Sequence, residues 1–165
     1  MSFIVREATP GELESLRAIL NYQLRVDVAD KLLPDGLLVG ISRNTGRIRA
    51  LIDPTSREVL ATIIAQTHTA NLRLSLARRL HSLVPPPKLR LIVVEEMVQD
   101  LLEARTSVFS KHVIAVDEGL RAGDEALVVG ESDELLCVGR LLLSPDEILQ
   151  LLTGPALKIR ECVNR

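Results

Sequence analysis

Aromatic side chains are almost missing from this chain. Phe3, Tyr22 and Phe109 are the whole set, and there is no tryptophan. A surface that binds single-stranded nucleic acid by stacking its bases needs aromatics on a sheet face, and three cannot build one. Cysteine is as scarce: Cys137 and Cys162 stand alone, without a CxxC or HxxxH spacing, which removes the usual zinc ligand sets. Both read as core residues, and no metal or cofactor is expected. Long apolar runs are missing too. "LLCVG" stops at Arg140, far short of the roughly 20 residues that a membrane-spanning helix requires. The opening "MSFIVREATPGELE" brings charges at once instead of the apolar stretch of a secretory signal. A cytoplasmic protein with no membrane partner is expected.

Catalytic signatures are absent as well. The sequence holds no Walker loop, HExxH or nucleophile elbow. Glu95-Glu96 and Asp124-Glu125 are adjacent pairs, whose side chains point in different directions on a helix or strand, so they make poor acid-base dyads. A non-enzyme is expected.

What the chain does have is apolar material: 47% of 165 residues, enough to build a real core in one medium domain or two small ones. The net charge of −2 by itself argues against a nucleic-acid partner, but its distribution does not. Residues 1–87 carry 11 Lys+Arg against 8 Asp+Glu, a balance of +3, and residues 88–165 carry 9 against 14, a balance of −5. Seven arginines lie between Arg43 and Arg79 against only Asp53 and Glu58. Any positive field therefore sits in the first half.

"TPGELESLRAIL" opens with Thr9, Pro10 and Glu12, a capping box with proline at the first helical position. Leu13, Leu16, Leu20 and Leu24 then recur at helical spacing, so a helix is predicted to about Leu24. A short helix, "VADKLL", is predicted before Pro34. "LLVGISRNTGRIRALI" reads as two strands around a hairpin at Asn44-Thr45-Gly46, "EVLATIIA" as a third strand and "NLRLSL" as a fourth, leading into the helical "LARRLHSL". No internal repeat is apparent. Three consecutive prolines in "VPPPK" then mark the expected domain boundary. Beyond them come the strand "LRLIVV", the helix "EEMVQDLLEA", "SVFSKHVIAV", "RAGDEALVVG", "ELLCVGRLLL", a capped helix from Ser144 that Gly154 is placed to end, and "PALKIRECV". Short strands with turns every 8 to 12 residues predict a small barrel-like β domain. The fold class is α+β.

From Lys88 onward the order "LIVVEE", helix, "VFSKHV", "LRAGDEALVV", "CVGRLLLS", capped helix and "GPALKIRECV" resembles a PUA domain, the RNA-binding module attached to pseudouridine synthases and archaeosine transglycosylases. The first half, notably "LLPDGLLVGISRNTGRIR" and "LRLSLARRL", is similar to the region that precedes the PUA module in archaeal transglycosylases and in small standalone archaeal proteins. The resemblance implies an α+β pre-PUA domain over residues 1–84 and a PUA pseudo-barrel with short helices over 88–165. It implies binding of structured RNA, tRNA or rRNA, in RNA modification or ribosome biogenesis. Two other readings stay open: an adaptor that meets a ribosome-assembly protein, and a noncatalytic partner of a separate tRNA-modifying enzyme. Many PUA domains carry a glycine in the loop before the "VF" position, whereas this chain has none from Leu101 to Val113.

Candidate RNA contacts follow. Gly123 permits a turn with positive φ and Arg121 stands beside it, with a salt bridge to Asp117 or Glu118 as the competing reading. Lys111 and His112 lie in "VFSKHV", as phosphate contacts or as an ordinary exposed pair. Lys158 and Arg160 alternate with Leu157 and Ile159, so one face of the last strand carries both, as contacts or as a solvated face. Arg140 is a further candidate. In the first half, Arg47 and Arg78 are expected to widen the electrostatic footprint, and His68 and His81 to lie on the surface. By resemblance, the rim around Arg121 and "VFSKHV" is where PUA modules meet RNA through shape and backbone contacts, which require basic and small residues rather than aromatics.

Overall fold

The Thr9-Pro10-x-Glu12 signal starts a helix where it stands. In a computed structural model of the chain, which describes residues 3–164, α1 spans Pro10–Leu24. The Glu12 N–H donates to the Thr9 hydroxyl and the Thr9 N–H to the Glu12 carboxylate. Leu13, Leu16, Leu20 and Leu24 form its buried face. Burial of each such side chain stabilises by about 1.5–3 kcal/mol, so packing of this stripe, more than local propensity, holds the helix. α2 follows at Ala29–Leu32.

The five strands of the first unit form an antiparallel sheet in chain order: β1 (Phe3–Glu7), β2 (Leu38–Ser42), β3 (Ile48–Ile52), β4 (Val59–Ile63) and β5 (Ala70–Leu72). Val39, Leu51, Ala61 and Leu72 face one another in a row across it, each no more than 1% exposed. β1 is absent from the sequence expectations because four of its five residues are exposed. An edge strand without a buried face leaves no hydrophobic pattern to read.

The turns of this meander correct the expectation that the chain has no internal repeat. Ser42, Asp53 and Ile64 each donate an N–H to the carbonyl of Arg47, Glu58 and Thr69, and each accepts from the N–H of Gly46, Arg57 and His68. The last residue of each turn is left-handed, with φ of 71° at Gly46, 64° at Arg57 and 57° at His68. The same turn thus recurs every 11 residues. It is hidden in the sequence because a glycine, the usual occupant of that backbone region, fills only the first of the three positions.

α3 spans Leu74–Leu83, and the chain divides into two compact units within it, after Leu80. The prolines lie a little farther on. Residues from His81 belong with the second unit because the buried Arg90 guanidinium gathers the carbonyls of His81, Val84 and Lys88.

The second unit contains β6 (Arg90–Val93), a 3-10 turn at Glu95–Met97, α4 (Val98–Ala104), β7 (Ser107–Phe109), a 3-10 turn at Ser110–His112, β8 (Val113–Val116), β9 (Glu125–Val129), β10 (Leu135–Leu141), α5 (Pro145–Leu151) and β11 (Pro155–Cys162). They build a curled six-stranded sheet in the order β7-β11-β10-β9-β6-β8. Only β6 and β9 run parallel. Ser144 caps α5 reciprocally with Glu147, but Leu152, not Gly154, takes the left-handed position at its end. Arg105 does the same for α4, with φ 55°, and its guanidinium grips the carbonyls of Leu102 and Val163. The loop that lacks glycine therefore still makes its left-handed turn. Cys137 and Cys162 are buried core residues, as expected, and directly opposed on β10 and β11, where they form a disulfide. No helix among the described residues is long and apolar enough to cross a membrane.

Candidate nucleic-acid interface

The turn before β9 is locked by its own backbone. Gly123 adopts φ 92°, and the Asp124 carboxylate accepts the Arg121 N–H at 2.9 Å while the Asp124 N–H donates to the Arg121 carbonyl at 3.0 Å. Gly123 N–H donates to Leu141 at 2.7 Å and Leu141 N–H to Asp124 at 2.8 Å, which ties the turn to the end of β10. Arg121 is left exposed on a rigid base. Asp117, one of the two acids in the rival reading of Arg121, holds the backbone amides of Leu89 at 2.7 Å and of Gly119 at 2.9 Å with its two oxygens. Among the described residues no ion pair joins Arg121 to Asp117 or Glu118.

The same sheet end carries the second basic segment. Backbone bonds run from Ser110 to Gly154, from Leu142 to Ala156 and from Gly123 to Leu141, so the ends of β7, β11, β10 and β9 are in line. Lys111, exposed in the 3-10 turn after β7, and Arg121, exposed before β9, thus lie at the same end of the sheet. His112 is half-buried, with its ring edge-on to Phe109 at 6.4 Å between centroids.

Lys158 and Arg160 part company. The pairing of β10 with β11 slips at Arg160, since Val138 faces Glu161 while Gly139 faces Ile159. Lys158 is exposed beside Arg140. Arg160 turns to Glu125, whose side chain is 1% exposed, and donates to both of its oxygens, one of them at 2.9 Å. Arg140 approaches the same carboxylate at 3.7 Å. Glu125, Arg140 and Lys158 stand opposite one another across β9, β10 and β11, and on this face the buried acid engages Arg160 while Lys158 stays exposed, because an uncompensated buried charge is costly.

In the first unit Arg47 is exposed in the β2–β3 turn and Arg78 on α3. Arg79, from the same arginine-rich stretch, is structural: it donates to Asp53 at 2.8 Å and to the Leu32 carbonyl at 3.1 Å. The Ser56 N–H, with Arg79 second, draws the Asp53 carboxyl down to about 2. His68 is exposed, as expected, but His81 is half-buried with its Nε2 against the Asp133 carbonyl. Among the described residues no group of three or more His, Cys, Asp or Glu side chains could hold a metal ion.

Residues 89–163 match the family model of the PUA domain, and residues 14–87 match that of the patch-forming domain C2 of tRNA-guanine transglycosylase. The second unit is a PUA domain. Over both regions together the chain is 35% identical, across 150 residues, to the tRNA-guanine(15) transglycosylase of Methanobrevibacter smithii; the alignment covers 91% of this chain and 22% of that protein. The chain thus spans about a fifth of the length of this relative, and the match falls in its C-terminal region. A hypothetical protein of Pyrococcus horikoshii shares the fold, with a TM-score of 0.72 at 19% identity and 98% and 96% of the two chains covered. So does a conserved PUA domain protein of Thermoplasma acidophilum, with a TM-score of 0.65 at 14% identity and 98% and 95% covered. Lys111, Arg121 and Lys158 are surface cations of the PUA domain. Sequence reasoning had no means to find Glu125 and Asp133, whose importance lies in the arginines they hold from distant strands.

Proposed function

We propose that this chain binds structured RNA through the end of the PUA sheet that carries Lys111 and Arg121, with Lys158 behind it. The paired rim cations on locked backbone are the observation that supports this reading most directly. The similarity to tRNA-guanine transglycosylases favours tRNA, and the match of this region to a PUA domain and a patch-forming C2 domain favours a noncatalytic RNA-binding role for it in tRNA modification. The acidic balance of residues 88–165 is less of an obstacle than its size implies. Glu125 and Asp133 are paired with guanidinium groups, and Asp117 and Asp124 with backbone amides, so much of the negative charge is answered inside the unit.

The test is fluorescence anisotropy with a tRNA transcript and with a poly-pyrimidine strand of the same length. Tighter binding of the tRNA is expected, with log affinity falling against log salt by about 0.7–0.9 for each phosphate neutralised. Equal affinity for the two, or no salt dependence, overturns the reading. Base exchange by the chain alone overturns the noncatalytic role.

A further inference from the structure

At one end of the first sheet a groove of about 720 Å3 opens between α1 and the turns that join β2 to β3 and β4 to β5. Its floor is aliphatic, with Leu16, Ile19, Ile48 and Ile63. The helix contributes Gly11 and Ser15 above that floor, four residues apart and so on one face, and such small side chains leave the space open. The lip carries two guanidinium groups, of Arg47 and Arg49, and the His68 imidazole. The 11-residue turn repeat creates this lip, because alternate turns of a meander fall at the same sheet end, which sets the β2–β3 and β4–β5 turns together.

The charge of the groove is that of its lip. Among the described residues, no hydrogen bond or ion pair engages the side chain of Arg47, Arg49 or His68. Glu12 is the acid among the lining residues, and it is already occupied. Arg6 donates to its two oxygens at 2.7 and 2.8 Å and the Thr9 N–H donates at 2.9 Å, which draws its carboxyl down to about 2. Arg49 also borders a second groove, with Arg43, Asn44 and Asn71, so cationic and amide groups continue around the β2–β3 turn.

An aliphatic floor beside guanidinium forks suits a nucleobase with its phosphate. Guanidinium planes stack on bases without any aromatic side chain, and their forks match phosphate oxygens. The volume lies in the range of small-ligand sites. We infer that this groove takes one unpaired nucleotide of the bound RNA, its base against Ile19, Ile48 and Ile63 and its phosphate on Arg47, Arg49 and His68. The inference rests on the RNA-binding reading above. It also separates Arg47 from Arg78, which a diffuse positive field would treat alike.

The experiment uses the full chain and two RNA stems that differ by one unpaired bulged nucleotide. The bulged stem is expected to bind at least about five-fold tighter, in keeping with one stacked base. Ser15→Trp, which fills the groove from an exposed helix position, should abolish that preference and leave the affinity for the perfect stem unchanged. Ala65→Leu is a milder filling variant, and circular dichroism establishes that each is folded. Arg47→Ser should reduce the preference, whereas Arg78→Ser, with the same charge removed outside the groove, should lower both affinities equally. The inference is overturned if the two arginine variants are indistinguishable and the filling variants keep the preference. It is also overturned if a deca-glutamate peptide displaces the bulged stem while adenosine monophosphate does not, since the site would then read acidic protein. If neither stem binds, the RNA-binding reading fails first and this inference falls with it.

Discussion

Arg90 holds Asp133 from across the second unit, with Nε 3.1 Å from Oδ1 and Nη2 3.4 Å from Oδ2, while the rest of its guanidinium donates to the carbonyls of Val84, Lys88 and His81 at 2.6, 3.1 and 3.0 Å. The arginine side chain is 1% exposed. One buried planar fork therefore joins the end of α3, the proline segment and the turn between β9 and β10. Removal of the guanidinium leaves its acceptors without a donor, which costs about 1–3 kcal/mol for each that stays buried. Arg90→Met is expected to lose that much in urea denaturation, and Arg90→Lys to recover less than half, because an ammonium cannot serve acceptors in this many directions. Parent-like stability in Arg90→Met would show the network to be dispensable.

The rim is expected to act on RNA and not on folding. Lys111 and Arg121 are exposed, so the double substitution Lys111→Glu, Arg121→Glu should leave the circular dichroism spectrum and melting temperature unchanged. A lost charge-assisted phosphate contact costs about 1–3 kcal/mol, and tRNA affinity should fall ten-fold or more. Unchanged affinity would remove this sheet end from the interface.

Lys158 and Arg160 should behave as opposites although they are two residues apart. Lys158→Ala is expected to weaken tRNA binding with stability intact. Arg160→Ala takes from the buried Glu125 the guanidinium that serves both of its oxygens, with Arg140 3.7 Å away, and should cost up to about 3 kcal/mol of stability. Matching profiles for the two variants, in denaturation and in binding, would contradict the division of labour that the buried Glu125 creates.

Asp53 makes the first unit sensitive to acid. Its carboxyl is lowered from 3.8 to about 2 by the Ser56 N–H and then by Arg79. A depressed folded-state value favours the folded chain above the unfolded value and withdraws that support as the pH falls. The contribution is thus complete above about pH 5 and fades between about pH 4 and 2. Asp53→Asn should lower stability at pH 7 by about 1–3 kcal/mol and flatten the melting temperature across that acid window. A variant whose acid-side slope equals the parent's would assign the sensitivity to another carboxylate, with Glu12 next in line.

Local chemistry determined by the sequence survives unchanged in the structure: the two reciprocal caps at Thr9 and Ser144, the leucine face of α1, the hairpin at Asn44–Gly46, the positive φ at Gly123, and the order of parts that marks a PUA domain. Each depends on residues within a turn or two of one another, where side-chain chemistry and backbone geometry are coupled directly. Tertiary structure decided what depends on distant strands. The turns at Arg57 and His68 take left-handed backbone at residues that do not advertise it, and they thereby place His68 beside Arg47. A buried Glu125 from another strand holds the Arg160 guanidinium, and Asp133 holds that of Arg90 at the start of an apolar strand. For both arginines the partner lies far away in sequence, and the cost of burying an unpaired charge, which exists only once the chain has folded, selects the contact.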